Sequence, residues 1–150
     1  MSPELVKKLR EELARDEGVV HEIYLDHLSL PTFGLGHLVR SSDLEHGHPV
    51  GTPVSKERVN QCFTEDVQTT LYDCEILYPD FAKLPDEAQL VIANMMFNMG
   101  RPRLSKFKSM KAGVDARNWN RAADEMVDSR WYDQVTNRAK RLVSRIRALA

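Results

Sequence analysis

Nowhere does this chain carry an apolar run long enough to cross a bilayer. A membrane-spanning helix needs about 20 apolar residues, and the longest candidate, Leu90 to Met99, has Asn94 and Asn98 inside it. The opening residues, Met1-Ser2-Pro3-Glu4-Leu5-Val6-Lys7-Lys8, lack the apolar core and small-residue cleavage site of a secretory signal. A soluble protein without membrane insertion is expected, exported by other means or after removal of a leader. Cysteine is scarce: Cys62 and Cys74 fall in a segment that reads as one helix from Ser55 to about Leu77. At ~1.5 Å per residue they stand ~18 Å apart, beyond the ~7 Å limit on the Cα separation of a disulfide. No internal bridge is expected, and both thiols read as small apolar groups.

Strong net charge is missing too, since 21 basic residues face 22 acidic ones. The balance is uneven along the chain. Residues 1–100 hold 8 basic and 17 acidic side chains, and residues 101–150 hold 13 and 5. No RNP-like aromatics or zinc-finger spacing accompany the basic half, so the means of reading nucleic acid are lacking. A polyanionic cell wall is as good a partner, and attraction of this kind steers encounter without identifying the substrate.

What is present is enough for one domain with a real core, since 150 residues bury about 70% of the surface that their unfolded chain exposes. Ser2 and Pro3 suit an N-cap and first helical position, Leu5, Val6, Leu9 and Leu13 recur at helical spacing, and Gly18 supplies a stop. Ile23 and Tyr24 suggest a short strand up to Asp26, and Pro31 to Gly36 a return strand. Residues 39–54 read as irregular loop with a third edge strand. A helix from Ser55 carries Val59, Cys62, Phe63, Val67, Leu71, Cys74 and Leu77 on one stripe. Pro85 to Met99 is apolar all round and reads as a buried axis that stops at Gly100. Further helices are expected at residues 105–112, 115–127 and 136–149, with a short turn at 130–132.

The chemistry-bearing residues crowd into one segment: Asp16-Glu17-Gly18, then Asp26, then Thr32-Phe33-Gly34-Leu35-Gly36-His37. Two carboxylates and a hydroxyl in a glycine-punctuated stretch suit glycoside hydrolysis. That reaction needs one acid to protonate the departing oxygen and one carboxylate to hold water on the opposite face of the sugar. Glycines at 34 and 36 leave space for something to approach the backbone, a sugar chain or simply a bend. Glu45-His46-Gly47-His48 offers two imidazoles and a carboxylate but no ligand geometry, so no metal is expected there.

The run Asp16-Glu17-Gly18, Ile23-Tyr24-x-Asp26, Thr32-x-Gly34-x-Gly36-His37 resembles the T-even phage-type lysozymes, a family of muramidases. Asn94-Met95-x-Phe97-x-Met99-Gly100, Ser129-Arg130-Trp131-Tyr132-x-Gln134 and Asn137-Arg138-Ala139-Lys140-Arg141 resemble the same family, so the likeness runs from about Leu9 to Arg147. The turn His27-Leu28-Ser29-Leu30-Pro31 departs from it, because relatives usually carry another acid near Leu28.

The resemblance implies a two-lobed α+β fold in a single domain. A small antiparallel sheet lobe at about 15–54, a connecting helix at about 55–77 and a helical lobe at about 79–150 would frame a cleft. It implies Glu17 as general acid and Asp26 with Thr32 as holders of an attacking water, hence inversion at the anomeric carbon. Gly36, Leu38, Asn94, Phe97, Asn98 and Arg130 become substrate-binding candidates, without any cofactor. His37 would pair with Asp66, and Arg138, with Asp16 and Arg141, would join structural ion pairs, Arg138 serving the acid at position 17. The expected partner is bacterial peptidoglycan, met by a monomer that starts in a host cytoplasm if phage-derived or is secreted. A catalytically idle module that binds glycan or a partner protein stays open as the alternative.

Overall fold

The computed structural model describes residues 1–150, all of them placed. The class is α+β: eight α-helices and one three-stranded antiparallel sheet of order β1-β2-β3. Two compact units emerge, one of residues 10–69 and one of residues 1–9 with 70–150.

In the unit of residues 10–69, the end of helix α1 (Pro3–Glu17) leads into the sheet. Ser2 opens that helix by accepting a hydrogen bond from the Leu5 amide through its Oγ at 3.2 Å, which satisfies one of the orphan donors of the first turn. Gly18 ends it in the left-handed region at φ +69°. Strands β1 (Val20–Leu25), β2 (Pro31–Gly34) and β3 (His37–Leu38) follow. Helix α2 (Lys56–Leu77) starts under a Ser55 cap, whose Oγ accepts from the Arg58 amide at 3.1 Å. Val59, Cys62, Phe63 and Val67 form its buried stripe, as the periodicity requires. Cys62 and Cys74 are both free and buried, and burial pushes the Cys62 thiol up to about 11.

One expectation about the sheet needs correction. The third strand of the sheet is His37–Leu38; residues 51–54 form no strand of their own but run along β1, through an isolated bridge of Pro53 with Glu22 and backbone hydrogen bonds of Gly51, Thr52 and Val54 to Ile23 and His21. Gly34 and Gly36 both take left-handed φ values, +66° and +69°. The chain therefore turns within residues 34–36 and pairs back on β2, where the sequence suggested one continuous return strand.

In the unit of residues 1–9 and 70–150, helix α3 (Asp86–Met99) is buried at every position from Ala88 to Met96. An all-round buried helix is what its unbroken apolar composition demands. Gly100 stops it at φ +80°. A short helix α4 (Arg101–Leu104) then starts on Pro102, and helix α5 spans Lys108–Asp115, three residues later than the sequence suggested. Helix α6 (Trp119–Val127) also begins late, because Arg117 takes φ +57° and Asn118 caps the helix through Oδ1 on the Arg121 amide at 3.1 Å. A Cβ at Gly113 would stand 2.8 Å from the Ala122 amide nitrogen, so α5 and α6 meet backbone to backbone there. Helix α7 (Arg130–Gln134) and helix α8 (Thr136–Arg147) close the unit, with Ala139, Leu142, Val143 and Ile146 of α8 buried.

Candidate active site

Asp26, Thr32 and their hairpin loop form a tightly specified piece of backbone. Asp26 and Leu30 close a three-residue loop, with the Asp26 amide donating to the Leu30 carbonyl at 3.0 Å and the Ser29 amide to the Asp26 carbonyl at 2.9 Å. Ser29 sits at φ +61°, the left-handed last residue that lets a three-residue hairpin loop match the strand twist. Asp26 Oδ1 accepts from the Leu28 amide at 2.8 Å and from the Leu30 amide at 2.9 Å. The first of these is the side-chain turn that aspartate makes with the amide two residues on.

Thr32 is anchored to the same residue. Its Oγ1 donates to the Leu30 carbonyl at 2.9 Å, so the hydroxyl proton is occupied and the oxygen lone pairs remain as acceptors. Thr32 is only 2% exposed. Leu25, Leu28 and Leu30 are exposed around this turn, Leu28 by 63%, so an apolar rim stands at its tip.

Glu17 arrives from the C-terminal end of α1. A Cβ on Gly36 would lie 2.9 Å from Glu17 Oε2, whereas a Cβ on Gly34 would meet Val59 at 3.1 Å. The two glycines therefore differ in purpose: Gly34 admits a core side chain of α2, and Gly36 leaves the space that the acid occupies. Gly36→Ala is expected to cost about 1 to 2 kcal/mol for its left-handed backbone. It should also lower turnover about a hundredfold, because displacing a reacting group by about an ångström has that scale of effect. Thermal melting and wall-clearing rate on the same preparation check both parts, and an unaltered rate would separate Gly36 from the acid.

His37 has two carboxylate partners where the sequence suggested one. Nδ1 meets Asp66 Oδ2 at 2.7 Å and Nε2 meets Asp43 Oδ2 at 2.8 Å. Burial lowers the imidazole pKa, but hydrogen bonds and charge from Asp66 and Asp43 outweigh it and the net direction is upward. Asp43 moves the other way. Burial would raise it, yet the Arg40 amide and His37 bring it below the ordinary carboxylate range. Arg58 Nη2 adds contacts to Asp43 at 3.4 Å and Glu45 at 3.0 Å. Glu45 is thereby committed to a guanidinium, and the Glu45-His46-Gly47-His48 stretch serves as the outer edge of an ion-pair network.

The remaining candidates lie in the unit of residues 1–9 and 70–150. Asn94 is fully buried, and its Oδ1 accepts from Arg138 Nε at 2.9 Å. An amide inside an apolar helix needs a partner within the protein, and Arg138 is one such partner. Asn98 Oδ1 likewise accepts from Trp131 Nε1 at 2.8 Å, which fixes an indole that also packs edge-on to Phe107. Phe97 is half-buried and Arg130 exposed. Leu38, exposed beside Thr32 on β3, sits next to Gly36. Sequence reasoning missed Asp43, Arg58 and the Leu30 backbone.

Known proteins add a second line of observation. The Probable T4-type lysozyme 2 of Dictyostelium discoideum is 28% identical over 159 aligned residues, covering 93% of this chain and 94% of the relative. The Pre-baseplate central spike protein Gp5 of Enterobacteria phage T4 is 27% identical over 89% of this chain but only 26% of its own length. The Peptidoglycan hydrolase gp36 of Pseudomonas phage phiKMV is 29% identical over 91% of this chain and 15% of its own length. The model of the phage lysozyme family matches residues 14–148, nearly the whole chain, and the chain belongs to that family.

Proposed function

We propose that this chain is a muramidase acting as a monomeric single-domain lysozyme. It cleaves the β-1,4 bond between N-acetylmuramic acid and N-acetylglucosamine in bacterial peptidoglycan, with inversion. Membership of the phage lysozyme family and the printed names of the relatives support the peptidoglycan-cleaving glycoside hydrolase class. No helix is long and apolar enough to cross a membrane. The substrate lies outside the cytoplasm, so the protein acts after leaving the compartment that makes it.

The hairpin supports roles for Asp26 and Thr32, and the end of α1 supplies Glu17. Asp26 Oδ1 is held by two amides, and Thr32 Oγ1 donates its hydrogen bond to the Leu30 carbonyl. A water placed between them donates one hydrogen to Asp26 Oδ2 and the other to Thr32 Oγ1. Its remaining lone pair then faces the anomeric carbon. As that oxygen–carbon bond forms, the bond from the anomeric carbon to the bridging oxygen breaks, Glu17 hands its proton to the departing oxygen, and Asp26 takes the water's proton. Attack from the face opposite the leaving group inverts the centre. Leu38 offers an exposed apolar surface for the ring, Gly36 a backbone without a side chain beside the acid, and exposed Arg130 suits the anionic wall. Phe97 and Asn98, with the Trp131 indole held by Asn98, are candidate sugar contacts of the helical unit. The observation that carries the reading is the common anchoring of Asp26 and Thr32 on Leu30.

Proton NMR of freshly released fragments tests it: the α-anomer should appear first from the β-linked wall, and a β-anomer would overturn inversion. Asp26→Asn should slow clearing at least about a hundredfold, in the range of general-base effects, while wall co-sedimentation persists. Wild-type binding without release of reducing ends would instead mark a glycan-binding module.

A further inference from the structure

The tip of the hairpin that carries Asp26 is apolar, and the mechanism above makes no use of it. Leu25, Leu28 and Leu30 are all exposed within one short turn, whereas the apolar surface residues that need no explanation are scattered singly. Their backbone is already engaged with the reacting groups. The Leu28 and Leu30 amides donate to Asp26 Oδ1 at 2.8 and 2.9 Å, and the Leu30 carbonyl accepts from Thr32 Oγ1 at 2.9 Å. The Leu28 and Leu30 side chains therefore branch from the carbons next to the amides that hold Asp26.

The charge around this tip is mostly of one sign. Residues 10–69 hold 11 acidic and 5 basic side chains, and no lysine or arginine lies between Arg15 and Arg40, where Asp16, Glu17, Glu22 and Asp26 stand. Of the histidines in that stretch, His37 directs both ring nitrogens to Asp66 and Asp43, and His21 and His27 are exposed. An anion brought to the tip meets apolar side chains and like charge, so it loses hydration without gaining a lysine or arginine. A neutral methyl-bearing group meets the opposite balance, since taking exposed leucine surface out of water is favourable.

Muramic acid carries such a group close to the reacting atom. Its C3 oxygen bears a lactyl ether on the same ring whose anomeric carbon the water attacks, and in an intact wall the lactyl carboxyl is amide-linked to the peptide stem. The lactyl unit is then a methyl beside a neutral carbonyl. With the stem removed, the same unit ends in a carboxylate. We propose that Leu28 and Leu30 form a specificity-determining rim that packs on the lactyl methyl of the ring under attack and rejects the lactyl unit in its free-acid form. This inference rests on the roles given to Asp26 and Thr32 above.

Glycan strands freed of their stems by an amidase carry the lactyl carboxylate, and carbodiimide coupling with ammonia converts it to the primary amide on the same backbone. As competitive inhibitors of wall clearing by the wild-type enzyme, the amide strands should act at about tenfold lower concentration than the carboxylate strands, the scale of one discriminating contact. Leu28→Lys places a cation at the tip and should erase or reverse that preference. Leu28→Ser should raise KM for intact wall about fivefold, less than a contact in a closed pocket, with kcat within about twofold. Its melting temperature should be nearly unaltered, because the side chain is exposed. Equal inhibition by the two strands would overturn the proposal. So would an unaltered preference in Leu28→Lys, or a wild-type preference for the carboxylate, which would assign the tip to His27 acting as a cation. Asp26→Asn in parallel separates the two failures: if that variant clears wall at the wild-type rate, the hairpin roles themselves fall, and if it is slowed while both strands inhibit the wild type equally, only the role of the rim falls.

Discussion

Replacing Glu17 by glutamine is expected to abolish wall hydrolysis, lowering turnover by about a thousandfold or more, while leaving wall binding in place. Glutamine matches the shape of the acid and keeps the fit against Gly36, where Oε2 fills the space of a missing Cβ. It has no proton to release to the bridging oxygen. General acid catalysis is worth about 10²–10⁴-fold, and that contribution is lost with the proton. The fold should tolerate the change. Glu17 ends a fifteen-residue helix, where a carboxylate opposes the negative end of the helix dipole, a cost of about 0.3–1 kcal/mol. Neutralising it offsets part of whatever contacts are lost, so melting should stay within a few degrees of wild type. Reducing-end release, turbidity and co-sedimentation with purified walls decide the matter. Clearing by Glu17→Gln at the wild-type rate would end the assignment.

The second large effect concerns stability. His37 is 4% exposed and bridges Asp43 and Asp66, so His37→Gln removes a buried cation from between two carboxylates. Breaking a buried pair by removing one partner costs about 3–5 kcal/mol. Because Arg58 and the Arg40 amide still hold Asp43, the lower end applies, near 3 kcal/mol. For a chain of this size that is a fall of roughly 6–12 °C in melting temperature.

Its pH dependence has a definite sign. The His37 pKa is raised in the folded state, so its contribution is complete below the ordinary histidine value of ~6.5 and is lost as pH rises through the raised value. The Asp43 pKa is depressed, so its contribution is complete above the ordinary aspartate value of ~3.9 and is lost as pH falls through the depressed value. The stability gap between wild type and His37→Gln should therefore be widest between about pH 4 and pH 6.5 and shrink on both sides. Denaturant titrations across that range measure it. A gap that stays constant up to pH 9 would show that the imidazole is not charged in the fold.

Much of this molecule is legible from its residues because it depends on neighbours in sequence. Helical periodicity and caps located α1, α2, α3 and α8, since Ser2, Ser55, Gly18 and Gly100 act on the helix end beside them. The proposed chemistry draws on local sequence for the same reason. Glu17, Asp26 and Thr32 lie within one helix end and one hairpin, so their order along the chain already fixes most of their geometry. Local signals weaken where an element is short. The α4–α6 boundaries shifted because Pro102, Arg117 and Asn118 redirect the chain within a few residues.

Long-range contacts decided the rest. That Asp43 and Arg58 complete the His37 cluster depends on how an aperiodic loop folds over α2. The same holds for the opposite uses of Gly34 and Gly36, one facing Val59 and the other Glu17, and for Asn94 spending its amide on Arg138. None of these is set by propensity or spacing. A hydrogen bond between residues dozens of positions apart exists only once packing has brought them together and excluded water, and at that point a buried polar group must take whichever partner the fold supplies.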